Sequence, residues 1–158
     1  MNKKKRRLAV VLATVTGSAV LVLSGCSGKS EQTEKTLRVG VITYSQDDPF
    51  INGLTDELKV QLKAMENKQR RIIVSTKSGN DDQQEQNEKV EEMIDAGCDV
   101  LCINLVDRTA PSRIVRMARN EDIPVIFFNR EPVREDLMQW EKLYYVGLRC
   151  RTVRDYAG

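Results

Sequence analysis

Histidine is absent from the 158 residues. That excludes Ser-His-Asp and Cys-His catalysis and every His-ligated metal site, because each needs an imidazole as base or ligand. No G-x-G-x-x-G and no G-x-x-x-x-G-K-[ST] follows the first strand-like segment. The backbone cradle that dinucleotides and nucleotide phosphates require is therefore missing. Cysteine is sparse: apart from Cys26 there are Cys98, Cys102 and Cys150, an odd set that implies no complete disulfide framework. Cys98 and Cys102 read either as a pair in an oxidising compartment or as small buried apolar residues, and the position of Cys102 inside an apolar run favours burial. A basic surface is also lacking. The formal charge is +2, yet Lys3, Lys4, Lys5, Arg6 and Arg7 stand among residues 1–25 without an acid, and removing them leaves 20 basic against 23 acidic groups, or −3. Positive charge thus belongs to one terminal run, which argues against a nucleic-acid partner. What is present, 41% hydrophobic and 30% charged residues, suits one domain with a real core and excludes a polytopic membrane protein.

Residues 1–25 read as a signal peptide: a basic start, then an apolar stretch from Leu8 to Leu23 broken by Thr14, Thr16, Gly17 and Ser18. Its end, Leu23-Ser24-Gly25-Cys26, resembles the bacterial lipobox, in which small residues admit the backbone to the peptidase and the Cys thiol takes a diacylglyceryl group. Cys26 is therefore the expected lipidation site, with two or three acyl chains giving a stable anchor where one would be marginal. The expected location is extracytoplasmic, on the periplasmic or outer face of the cell membrane. Residues 26–36 are polar and aperiodic, a tether between lipid and domain.

From Leu37 onward short β-rich runs alternate with longer helical ones. Strands are expected at Leu37–Thr43, Arg71–Thr76, Val100–Asn104, Pro124–Asn129 and from Tyr144. Helices are expected at Phe50–Met65, with Phe50, Leu54, Leu58, Leu62 and Met65 on one face, at Asp82–Ala96 stopped by Gly97, and at Pro111–Asn120. This alternation implies right-handed crossovers and an α/β, doubly wound parallel sheet. The nearly continuous apolarity of the strands implies cover on both faces. Ligands of such sheets bind beyond the carboxyl ends of the strands, which selects the loops Tyr44–Phe50, Asn104–Arg108 and Asn129–Pro132.

These loops offer Tyr44, Asp47, Asp48 and Phe50, then Asn104 and Asp107, then Asn129, Arg130 and Glu131. Carboxylates, amides and an aromatic face suit a polyhydroxylated neutral ligand. An ionised Asp accepts hydroxyl hydrogen bonds, Asn both donates and accepts, and a ring covers the C–H face of a pyranose. Plainer roles stay open for the same residues. Asp47 or Asp48 would cap the next helix, Phe50 would anchor the core, and Asn104 and Asp107 would hold a turn.

Four segments, RVGVITYSQDDPF (Arg38–Phe50), SGNDDQQEQNEKVEEMIDAGCDVLCINLVD (Ser78–Asp107), IPVIFFNREP (Ile123–Pro132) and YYVG (Tyr144–Gly147), extend the pattern. Together they resemble the bacterial periplasmic galactose/glucose-binding protein family, the sugar receptors of an ABC importer. INLVD and VIFFNREP are the specific strings. The resemblance implies no enzymatic activity and a fold of two α/β lobes that closes on sugar, of which residues 37–147 would be the N-terminal lobe. By motif, Asp48 and Asn129 would hydrogen-bond the sugar, Phe50 would stack on it, and Arg130 would touch sugar or the closing lobe, while Asn104 looks structural. Implied partners are galactose, glucose or a methyl-galactoside, an ABC permease in the membrane, and a chemoreceptor.

The resemblance also implies a second lobe with the remaining contacts, a second stacking aromatic and a calcium loop, and a segment that returns from it to the first lobe. No such stretch follows Gly147, so no metal or other cofactor is expected in this chain and a truncated receptor is expected. Residues 148–158 (LRCRTVRDYAG) depart from the family's Ser-Gly-x-x-Gln pattern, which a one-nucleotide shift of suitably chosen codons would restore; a frameshift near codon 148 is the expectation. Three other readings compete. One is a weakly binding or non-functional fragment of the same receptor. Another is an extracytoplasmic glycosidase using Asp47, Asp48 and Glu131. The last is the effector domain of a repressor, which the lipobox and the lack of a helix-turn-helix region disfavour.

Overall fold

A computed structural model describes residues 34–147. The segment read as a signal peptide, Cys26, most of the expected tether and residues 148–158 with Cys150 lie outside the described residues. Five strands form one sheet in the order β2-β1-β3-β4-β5, and every neighbouring pair is parallel. The strands are β1 (Lys35–Thr43), β2 (Arg70–Ser78), β3 (Val100–Ile103), β4 (Val125–Phe128) and β5 (Leu143–Val146); the helices between them are α1 (Pro49–Ala64), α2 (Gln83–Asp95), α3 (Ser112–Asn120) and α4 (Arg134–Leu137). This is the doubly wound α/β sheet expected, with each core strand and helix within a few residues of its sequence-based bounds. The short α4 was not anticipated, because four residues carry no readable period.

Local chemistry sets the helix ends. Asp48 caps α1, whose first residue is Pro49, a position where the missing N–H costs nothing. Asp82 caps α2 through the Glu85 N–H at 2.7 Å. That helix stops in a Schellman turn. Gly97 takes φ +75, its N–H bonds Ile94 O, and the Cys98 N–H bonds Met93 O.

Alternation along the strands splits the core in two. Ile42, Leu101, Ile103, Val125, Phe127 and Leu143 pack against Val90 and Met93 of α2 and Ile114, Val115 and Ala118 of α3. Val39, Val41, Ile72, Cys102 and Phe128 face the other way, against Leu58 and Leu62 of α1. Among the described residues one face is thus covered by α2, α3 and α4, and the other by α1 alone. The expected cover on both faces is incomplete among the described residues: Tyr144 and Val146 of β5 are 52% and 63% exposed on the α1 side. The edge strand β2 is also less apolar than expected, with mostly exposed side chains.

Cys98 and Cys102 are both free and buried. They belong to the two opposite core layers, so the sheet itself separates them and the disulfide reading is excluded. Burial pushes the Cys102 thiol up to about 11.

Candidate functional site

Because all strands are parallel, the loops after β1, β3 and β4 leave the same edge of the sheet. Their neighbours diverge: α1 goes to one face, α2 and α3 to the other. The adjacency of β1 and β3 is the reversal point of strand order, where such sheets open a crevice.

Asp48 occupies the loop after β1. Its Oδ1 accepts the Phe50 N–H at 2.8 Å and the Ile51 N–H at 3.3 Å. Its Oδ2 accepts the Tyr44 hydroxyl at 2.5 Å. That hydroxyl bond, then the two N–H groups and the Arg130 charge, hold the carboxyl below the usual carboxylate range against partial desolvation. The same bond, before all other causes, raises the Tyr44 phenol above its ordinary value. The capping role read for Asp48 is therefore real. Asp47 is exposed and makes no side-chain hydrogen bond among the described residues. Phe50, in the first turn of α1, is 66% exposed, which corrects the core-anchor reading; Ile51 and Thr55 are the buried residues of this helix.

The loop after β4 begins with a strained residue. Asn129 has φ +61, and the Arg130 N–H reaches back to Phe128 O at 2.7 Å, closing a γ-turn of the rare positive-φ kind. Two bonds hold it there: the Asn129 N–H donates to Val146 O and the Tyr145 hydroxyl donates to Asn129 O. Gly147 makes room for that hydroxyl, which a Cβ at this position would overlap. The Asn129 side chain is exposed and has no hydrogen-bond partner among the described residues. Asn129 and Phe50 line one open groove of about 630 Å³ together with Leu54, Cys102, Phe128 and Val146.

Arg130 is half-buried. Its guanidinium carbon lies 3.6 Å from the centre of the Tyr44 ring, and its Nη1 donates to Leu105 O and Val106 O at 3.2 and 3.0 Å. The loop after β3 is held from beneath by glutamines of α2, a role not read from the sequence. Buried Gln86 accepts the Val106 N–H at 3.0 Å and donates to Asn104 O at 2.9 Å, and Gln83 accepts the Asp107 N–H at 2.9 Å. The available signal was a Gln pair three apart on one helix face beside a strand end.

Asp107 does hold a turn, accepting both the N–H and hydroxyl of Thr109. Asn104 does not do so through its side chain. It is fully buried, with neither Oδ1 nor Nδ2 partnered among the described residues; its backbone alone ties β1 to the β3 loop. Of the carboxyls read for a glycosidase, Asp48 is engaged in its cap, and the Asp47 and Glu131 carboxylates make no side-chain hydrogen bond or ion pair among the described residues.

Comparison with known proteins follows the same lines. Residues 39–149 match the family described as Periplasmic binding protein domain. The D-galactose/methyl-galactoside binding periplasmic protein MglB of Haemophilus influenzae is 31% identical over 137 residues, which cover 87% of this chain and 39% of that protein. Among solved structures, the fructose binding periplasmic domain of a hybrid two component system superimposes with a TM-score of 0.56 at 28% identity, over 70% of this chain and 33% of that one. An ABC transporter solute binding protein from Clostridium phytofermentans with bound β-D-glucose gives 0.57 at 25% identity, over 68% and 31%. The chain thus spans about 39% of the curated relative it matches and about a third of the solved ones.

Proposed function

The chain belongs to the periplasmic binding protein family, a family of binding proteins rather than enzymes, and from that premise we propose that its described residues are the first of two sugar-gripping lobes. The whole protein would be an extracytoplasmic receptor that captures a galactose- or glucose-type sugar and presents it to an ABC permease. One observation carries this reading. The carboxyl edge of the sheet exposes an amide at Asn129 that is unpartnered among the described residues, lining one groove with an exposed ring at Phe50, with an ionised carboxylate at Asp48 in the loop after β1. Those are the groups a neutral pyranose needs: acceptor and donor for hydroxyls, and an apolar plane for C–H bonds. Asp48 and Asn129 would bond the hydroxyls and Phe50 would cover the ring. The bare apolar surface over β4 and β5 supports the two-lobed reading, because a segment returning from a second lobe would cover it. The calcium loop of such receptors would belong to that second lobe.

A single lobe supplies about half the contacts and leaves one side of the sugar in water. A site worth about −8 kcal/mol, micromolar when complete, falls toward about −4 kcal/mol, or millimolar, when half its contacts are removed. Calorimetry on residues 27–158 with D-galactose is expected to show only weak heats of this order. Micromolar binding would contradict the half-site reading. Lipid attachment at Cys26 rests on the Leu23-Ser24-Gly25-Cys26 string. Growth of an expressing bacterium on an alkyne fatty acid should label the wild-type chain and not Cys26→Ser; equal labelling of both would remove the anchor.

A further inference from the structure

We infer that Arg130 and Tyr44 are positioning residues: Arg130 clamps the loops after β1, β3 and β4 into one rigid edge and, through the Tyr44 ring, sets the direction of the Asp48 carboxylate instead of binding sugar itself. The inference deepens the sugar-binding reading and rests on it for its functional consequence.

The geometry joins three loops at one side chain. Arg130 stacks on Tyr44 from the β1 loop at 3.6 Å. Its Nη1 is shared between Leu105 O and Val106 O of the β3 loop. Its own backbone closes the turn at Asn129. A second arginine repeats the clasp in the opposite direction, Arg108 Nε donating to Glu131 O at 2.6 Å. A planar guanidinium can stack and donate along its edge at once, which an ammonium cannot. Tyr44 passes the constraint on, because a ring held on one face by Arg130 has its hydroxyl held on Asp48 Oδ2.

The consequence for recognition is a count of acceptor sites. An ionised carboxylate has about four lone-pair directions. Phe50 N–H, Ile51 N–H and the Tyr44 hydroxyl take three of them. About one direction remains, so Asp48 offers a single oriented acceptor to one hydroxyl rather than a pair for two. The charged groups that bear on this pair are Arg130, which favours the ionised form of both Asp48 and Tyr44, and Asp81, which opposes ionisation of Tyr44.

The test uses the full chain in detergent with ¹³C-labelled Asp, in three forms: wild type, Tyr44→Phe and Arg130→Lys. Tyr44→Phe keeps the ring and removes only the hydroxyl. Arg130→Lys keeps the charge and removes the planar stack. In the sugar-free chain, the Asp48 carboxyl midpoint is expected to move up toward the ordinary value in both variants. D-galactose affinity is expected to weaken about tenfold in both, and to be lost at a higher pH than in wild type as Asp48 takes up its proton. If Arg130 were a sugar ligand only, Arg130→Lys would weaken binding while leaving the sugar-free Asp48 midpoint in place, and the clamp would be overturned. An unmoved midpoint in Tyr44→Phe overturns the relay, and this variant serves should Arg130→Lys fail to fold. Should the wild-type chain bind no sugar at all, the sugar-binding reading falls, while the Asp48 titrations still decide the clamp.

Discussion

A residue can be strained and useful at once, and Asn129 separates the two. Its φ of +61 is a backbone cost that glycine avoids, while its side chain supplies an exposed amide. Asn129→Gly should therefore leave stability unchanged or raise it by up to about 1 kcal/mol, and Asn129→Ala should lower it. Both should lose sugar contact. Urea denaturation beside a galactose titration checks the pair; a destabilised Gly variant would deny the strain. Cys102 provides a second test. Its thiol, pushed up to about 11 by burial, is almost wholly protonated at neutral pH and 7% exposed. In a chain with Cys26→Ser and Cys150→Ser, Ellman's reagent should find Cys98 and Cys102 unreactive until urea is added. At this scale the Asp48 cap was legible because the capping residue and the helix it starts are adjacent in sequence. The Tyr44–Arg130 stack joins residues 86 positions apart, and nothing in either segment announces it. Gln86 left only the weak signal of a Gln pair on one helix face, since which groups a buried glutamine bridges is recognisable only once the strand ends are in place.

Elements were easier to read than contacts, and the reason is periodicity. α2 has a cap at Asp82, a buried face at Gln86, Val90 and Met93, and a glycine stop, and all three signals lie within one stretch of sequence. Asp82→Ala should cost about 1 kcal/mol by thermal or urea melting and leave galactose binding unchanged, because the Asp82 carboxylate bonds only the Glu85 N–H of its own helix; a loss below about 0.3 kcal/mol would mean that the Glu85 N–H finds water as readily. Gln86→Leu is expected to cost more, about 1–3 kcal/mol, by leaving the Val106 N–H without its partner. It should also loosen the β3 loop, visible as faster amide exchange at Val106. The apolar stripe of α1 was legible as a stripe, but not how much of it is covered. Leu58 and Leu62 meet the sheet, whereas Phe50 and Leu54 are 66% and 40% exposed. Periodicity identifies an apolar face without saying whether a partner is there to cover it.

At the scale of the molecule, cover follows from the strand order and charge from the composition. Residues 26–147 carry 17 basic against 22 acidic groups, a net −5, consistent with a neutral ligand and with no polyanionic partner. Among the described residues one sheet face carries three helices and the other carries one, which leaves an apolar strip from Leu54 across Phe128 to Val146. Patches of this kind bind other apolar surfaces. Residues 27–158 should accordingly bind the dye ANS while folded, and Val146→Glu should reduce that binding without lowering the melting temperature, since Val146 is already 63% exposed. The doubly wound order was legible because alternation and handedness leave few other topologies. The bare strip was not, because strand sequences written for a covered face look the same whether or not the cover is present.

The most direct measurement is an amide ¹H–¹⁵N titration of residues 27–158 with D-galactose, with mannitol as a polyol that lacks a pyranose ring. The expected result is fast-exchange shifts confined to Tyr44–Ile51 and Phe128–Glu131, saturating in the millimolar range, and absent with mannitol. Equal shifts with both polyols, shifts elsewhere on the sheet, or none at about 100 mM, where a millimolar site would be saturated, would contradict a sugar-binding lobe.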